Sequence, residues 1–194
     1  MENNSELCID IQNQSDSRKI PINKVGVKGL EYPITVLDKA NGIQHTNAHV
    51  NLFVDLPHEF KGTHMSRFIE VFNKHRKDLS MTHFLTMLKE TRIALHAETA
   101  YADLHFPYFI EKEAPVSRQK SIMRYECSFQ GRVNTESHDF TVTISVPVQT
   151  VCPCSKAISK YGAHNQRGIV TVTLHLGPFR SEEHTSELQS PNTI

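Results

Sequence analysis

The chain has no surplus of charge: Lys plus Arg and Asp plus Glu both number 21. A general nucleic-acid binder would carry a net basic domain, so that class is excluded and any anionic ligand must meet a local patch. Long apolar runs are also missing. None approaches the roughly 18 residues that a membrane helix needs, and the opening "MENNSELCIDIQNQSDSRKIPINKVG" is polar and acidic where a signal peptide would be basic and then apolar. A cytoplasmic protein, without membrane or nucleic-acid partners, is the expectation. The four cysteines, Cys8, Cys127, Cys152 and Cys154, are too unevenly placed for a disulfide framework in a reducing compartment, which leaves them as ligands, nucleophiles or core residues. No Gly-rich dinucleotide signature is present, nor the paired C-x-x-C units of structural zinc modules.

What is present is a globular composition, 38% apolar and 22% charged over 194 residues, enough for one domain or two small similar halves around a shared core. The first 23 residues mix Asn, Gln, Ser and Asp and read as a flexible arm. From Ile43 to Val54, "IQHTNAHVNLFV" alternates with Ala48, Val50, Leu52 and Val54 on one side, as a half-buried strand requires. Met65, Phe68, Ile69 and Phe72 recur at helical spacing behind a cap at Thr63 or Ser66. A second helix starts from Ser80 with Phe84, Leu85, Leu88, Ile93 and Leu95 as its stripe, and Pro107 is expected to end the helical region before Tyr108. Strand patterns follow in "IMRYECSFQG", "DFTVTISVPVQTV" and "GIVTVTLHL". The order of strand, helices and several strands is α+β with an antiparallel sheet.

One segment carries chemistry. "TVCPCSKAISKYGAHNQRG" places two cysteines one proline apart and His164 ten residues beyond the second. Thiolate and neutral imidazole are good ligands for zinc and similar ions, and a catalytic ion takes about three protein groups with one position open. Cys152 and His164 qualify as two of the three, on a loop leaving one strand at Val151 and re-entering another near Ile169. Three other readings stay open: buried small hydrophobes, a dithiol–disulfide pair, or a histidine that only hydrogen-bonds in a turn beside Gly162. Lys156, Lys160 and Arg167 add positive charge, either as a solvated face or as phosphate donors, and the two lysines would share a face if Ser155 caps a short helix. In "KGTHMSRF", Lys61, His64 and Arg67 stand near a helix start, a place suited to a triphosphate or simply to helix initiation.

That loop, together with "VGVKGLEYPI", "HVNLFVDLPHEFKGTHMSRFIEVF" and "FPYFIEKEAPVS", resembles the type IB GTP cyclohydrolase family, FolE2, from about Lys24 to Phe179. The resemblance implies a tunnelling fold, α+β, with antiparallel sheets backed by helices. It implies two similar halves per subunit, assembly into a homotetramer whose sheets close into a barrel, and active sites at subunit interfaces. On that reading residues 24–120 form the first half and 121–179 begin the second. Members hydrolyse GTP to formate and 7,8-dihydroneopterin triphosphate, for folate and in some bacteria for queuosine-type nucleosides. The implied cofactor is a divalent metal, zinc, manganese or iron, on Cys152 and His164. Cys152 falls at the catalytically important position, Cys154 beside it, and Lys156, Arg167, His64 and Arg67 are the substrate-binding candidates.

Residues 180–194, opening "RSEEHTSELQS", look like the conceptual translation of a sequencing-library adapter and are expected to be non-native, leaving the second half incomplete and the chain inactive alone. A further metal-ligand carboxylate and the acid that holds guanine would then lie past Phe179, and Glu182, Glu183 and Glu187 are no substitutes for them. Two other functions compete with the cyclohydrolase: a tunnelling-fold oxidoreductase in which Cys152 or Cys154 attacks a nitrile, and a metal-binding protein without catalysis.

Overall fold

The computed structural model describes residues 20–58, 62–160 and 162–179, so residues 1–19 of the expected arm, Lys61 and residues 180–194 lie outside the described residues, while the last two arm residues, Ile22 and Asn23, belong to the first strand of the sheet. Six strands form a single antiparallel meander in chain order: β1 (Ile22–Asp38), β2 (Gly42–Leu56), β3 (Ala100–Glu113), β4 (Lys120–Val133), β5 (His138–Val151) and β6 (Asn165–Phe179). Between β2 and β3 the chain makes α1 (Met65–His75) and α2 (Met81–Ala94), and α3 (Pro153–Ile158) interrupts the β5–β6 connection. The architecture is α+β, as the order of patterns indicates. The sheet runs unbroken through 120/121, which falls where β3 turns into β4.

Strand alternation sorts the sheet into two faces. Ala48, Val50, Leu52 and Val54 of β2 are all buried under α1 and α2, together with Ala100, Ala102, Leu104 and Phe106 of β3. Helix α2 docks through Phe84, whose ring meets Phe140 at 5.3 Å and Phe129 at 6.0 Å in edge-on geometry. Gly131 makes the approach possible: a Cβ there would lie 2.5 Å from Phe84 Cε1 and 3.0 Å from Leu88 Cδ1. At Gly29 the φ of +71° takes a bulge in β1, and its N–H donates to Asn51 Oδ1 at 2.8 Å.

Several local expectations give way. Pro107 does not end a helix; α2 stops at Ala94 and Pro107 lies within β3, opposite Glu126. The β2–β3 ladder ends at His49–His105, and the Pro107 carbonyl accepts from Thr46 Oγ1 at 2.8 Å on that side. Because N and C=O of one strand residue point the same way, the missing N–H faces a gap where no ladder bond is due. Two residues on, the Gln44 amide spans the gap, donating to the Phe109 carbonyl at 2.8 Å and accepting from its N–H at 2.7 Å.

Helix α1 is capped by neither Thr63 nor Ser66, since His64 is the extended residue before its first turn. The helix buries Phe68, Val71 and Phe72, with Met65 38% exposed. Ser80 does cap α2, accepting the His83 N–H at 3.2 Å, and Leu95 is buried while Ile93 points outward. Among the described residues no helix is long and apolar enough to cross a membrane.

Candidate functional site

The hairpin ends at 39–41, 114–119 and 152–164 lie at one end of the meander; the β2 end at Leu56 and the 134–137 turn lie at the other. The Cys152–His164 loop is the longest of the three connections. Pro153 starts α3, where a missing N–H costs nothing and φ is already helical. Cys152, not Ser155, is therefore the residue before the helix. The helix ends at Ile158, so Lys160 lies outside it and shares no helical face with Lys156. Strand β6 resumes at Asn165, four residues before the expected Ile169, which brings His164 to the neck of the loop.

That neck joins the two donors. The β5–β6 ladder runs to Val151–Asn165, and the next step pairs Cys152 with His164, whose carbonyl accepts the Cys152 N–H at 2.9 Å. Directly opposite residues of an antiparallel pair carry their side chains on one face, with Cβ atoms roughly 4.5–5.5 Å apart. The second ladder bond is replaced by a hydroxyl: Ser155 Oγ donates to the Cys152 carbonyl at 3.2 Å and accepts the His164 N–H at 2.8 Å. The Lys156 N–H joins the same carbonyl at 3.1 Å, and Ser159 Oγ holds the far side of the loop by accepting the Gly162 N–H at 3.0 Å.

The electrostatics of the thiols differ. Cys152 makes no full cap hydrogen bond, yet its sulfur faces the Ser155 N–H, which holds the thiol below its ordinary range, with further help from the Ser155 hydroxyl and from Cys154. Half-buried Cys127 is pushed up to about 11, first by burial and then by the Glu126 carboxylate. Cys154 is exposed on α3.

A thiol held toward thiolate and an imidazole directly across a ladder step suit a zinc-like ion. These two donors fit such a metal as part of its shell. Among the described residues no third His, Cys, Asp or Glu completes a group around them.

The other candidates are spread out. Lys156 is exposed on α3 beside the pair. Arg167 pairs with Gln149, one step out of phase with Cys152 and His164, so it belongs to the opposite face of the hairpin, where Thr141 bonds His175 and Thr143 bonds Thr173. His64 and Arg67 stand at the start of α1, at the Leu56 end of the sheet, and Arg67 Nη1 donates to the Ala94 carbonyl at 2.8 Å.

Sequence reading passed over an open trough of about 380 Å³ on the polar face, lined by Lys24, Tyr101, Asp103, Arg132 and Asp139 among others. Two of its charges have partners already: Lys24 Nζ sits 4.4 Å from the Tyr101 ring centre, and Asp103 takes contacts from His105, Asn51 and Gln130. The signal for it was the set of polar positions on β3, β4 and β5, Asp103, Gln130, Arg132, Asp139 and Thr141 among them, which also fits plain solvation.

A model of the type I GTP cyclohydrolase FolE2 family matches residues 8–190. The chain is similar to GTP cyclohydrolase FolE2 of Syntrophus aciditrophicus, 58% identical over 171 residues, 88% of this chain and 67% of that protein. The proteins of the same name from Geobacter sulfurreducens and Geobacter metallireducens are 50% and 51% identical, covering 92% and 88% of this chain and 69% and 65% of their own lengths. The chain thus spans about two thirds of the length of these curated relatives. On the matched family model and on identities of 50–58%, this chain belongs to the type I GTP cyclohydrolase FolE2 family.

Proposed function

We propose that the protein is a metal-dependent GTP cyclohydrolase that converts GTP and water to formate and 7,8-dihydroneopterin triphosphate, at the entry to reduced-folate synthesis. The observation that carries this is the 58% identity to a FolE2 protein over 171 residues, 88% of the chain. It favours this reading over the nitrile oxidoreductase and the non-catalytic metal binder.

Cys152 and His164 are the proposed metal donors. A divalent ion bound there would lower the pKa of a coordinated water and so supply a nucleophile for C8 of the purine. The chain's own part is to present a sulfur kept toward thiolate by the Ser155 N–H, next to an imidazole fixed by backbone pairing. Lys156, on the turn after Cys152, is placed to meet a phosphate oxygen approaching that end of the sheet.

His64 and Arg67 enter the same reaction only from another copy. Strand β5 has 14 residues, and at about 3.3 Å per residue it separates the two ends of the sheet by roughly 40 Å. A GTP molecule held by both ends therefore lies between subunits, which supports a homo-oligomer, proposed as a tetramer, with interfacial sites. The remaining ligand carboxylate and the acid for the guanine edge are proposed to come from outside the described residues. The order β1-β2-α1-α2-β3 followed by β4-β5-β6 is compatible with a first two-layer half over 24–120 and the strands of a second over 121–179.

The deciding assay is release of formate and pterin triphosphate from GTP with manganese or zinc, using the gene resequenced past Phe179 and comparing the wild type of that longer chain with its Cys152→Ala variant. Turnover by the wild type that Cys152→Ala abolishes is the expected result. Metal-loaded protein that leaves GTP intact would remove the assignment.

A further inference from the structure

A regular hydrogen-bonded pair in an antiparallel ladder exchanges two N–H···O=C bonds. Cys152 and His164 exchange one, Cys152 N–H to His164 C=O at 2.9 Å. The two groups that would make the other, the His164 N–H and the Cys152 C=O, both turn to Ser155 Oγ, at 2.8 and 3.2 Å. A serine hydroxyl has one proton and two lone pairs, and this arrangement uses the proton on one strand and a lone pair on the other. The hydroxyl is thus inserted into the ladder as a fixed spacer, held by a residue three positions after Cys152 and nine before His164.

The spacer has a mechanical consequence. An inserted oxygen holds one side of the Cys152–His164 step wider than a direct bond would, while the intact bond keeps the other side closed. The opening turns the step by a set amount and carries the two side chains with it. Pro153 contributes by forcing the chain into α3 directly after Cys152, which brings Ser155 back over the step. Without the hydroxyl, either the two strands close onto a direct bond or the His164 N–H goes to solvent, and each changes the relation between the sulfur and the imidazole.

We infer that Ser155 is the positioning residue of this site, its hydroxyl setting the separation at which Cys152 and His164 receive a divalent cation. The inference rests on the reading of those two residues as metal donors. Ser155 itself is not a ligand, and its contribution is to make the pair preorganised before the metal arrives. Groups that orient metal ligands in this way are worth about 10- to 100-fold in metal affinity.

The test compares Ser155→Thr, which keeps a hydroxyl, with Ser155→Val, which has the same shape without one, alongside Ser155→Ala, in the full 194-residue chain. Cobalt(II) is titrated in and followed by its thiolate charge-transfer band, with Cys152→Ala and His164→Ala as controls, and exchange of the His164 amide proton is measured without metal. The expected result is a cobalt dissociation constant raised about 10- to 100-fold in Ser155→Val and Ser155→Ala, with faster His164 exchange, and both restored in Ser155→Thr. Faster His164 exchange with unchanged cobalt affinity overturns the positioning role. Unchanged exchange overturns the spacer itself. A wild-type protein without any band that Cys152→Ala removes overturns the metal reading and the inference with it, whereas a band that titrates with wild-type affinity in every Ser155 variant overturns the inference alone.

Discussion

Two thiols in one sheet are tuned in opposite directions by their surroundings, and alkylation rates read the difference. Cys127 stays a thiol because burial and Glu126 push it up to about 11 from a reference of 9.0, leaving about a hundredfold less thiolate than an ordinary cysteine below pH 9. Cys152 is held the other way. Iodoacetamide at pH 8 is expected to modify Cys152 at least a hundredfold faster than Cys127, mapped by peptide mass; equal rates would contradict both assignments. The Cys127 shift also has a consequence for stability. A group whose folded pKa is raised adds stability below its unfolded pKa and loses it as pH rises through the folded value, so the folded state weakens between about pH 9 and 11. Denaturation midpoints across that window should fall less steeply in Cys127→Ala. That Cys152 and His164 share one inter-strand loop was legible from the flanking strand patterns, whereas their direct opposition depends on β6 starting at Asn165. Ser155 was misread as a cap, because the helix start is set by Pro153 and the ladder neck by residues that no local pattern joins.

Elements were legible wherever one face is buried and the pattern is long. Strand β2, helix α2 from Ser80 and the alternation of β4, β5 and β6 all appear where periodicity places them. Strand β3 escaped, although Ala100, Ala102, Leu104 and Phe106 alternate into the core, because Pro107 reads as a terminator unless the neighbouring ladder is known to have ended. That information is tertiary, carried by Gln44 and Thr46 some sixty positions away. The packing of α2 on the sheet was equally hidden, since Gly131 reads as a strand weakness and is in fact the space that Phe84 and Leu88 occupy. Gly131→Ala puts a methyl 2.5 Å from Phe84 Cε1 and is expected to lower the urea midpoint by the equivalent of about 1–3 kcal/mol, with an unchanged slope. A midpoint equal to wild type would mean that α2 has room to lift.

At the scale of the whole molecule the two groups of candidates define an assembly problem. Cys152 and His164 close one end of the sheet, and His64 and Arg67 start α1 at the other. The hairpin that carries Cys152 and His164 also leaves Val170, Val172 and Leu174 of β6 48%, 44% and 51% exposed, on the face that α1 and α2 cover elsewhere. This face was legible as apolar from alternation, whereas its cover depends on what packs there, which no strand pattern states. If the reaction uses both ends, each site draws Cys152 from one subunit and His64 from another. Inactive variants should then complement. Cys152→Ala and His64→Ala chains made from the gene resequenced past Phe179, each impaired alone, are refolded together in equal amounts, and random mixing leaves about a quarter of the interfacial sites with both native residues. Formate release near a quarter of the wild-type rate is expected after co-refolding and none from the same chains mixed without it. Activity that stays at the sum of the two separate variants would place His64 outside the site and confine the chemistry to the Cys152 end of one chain.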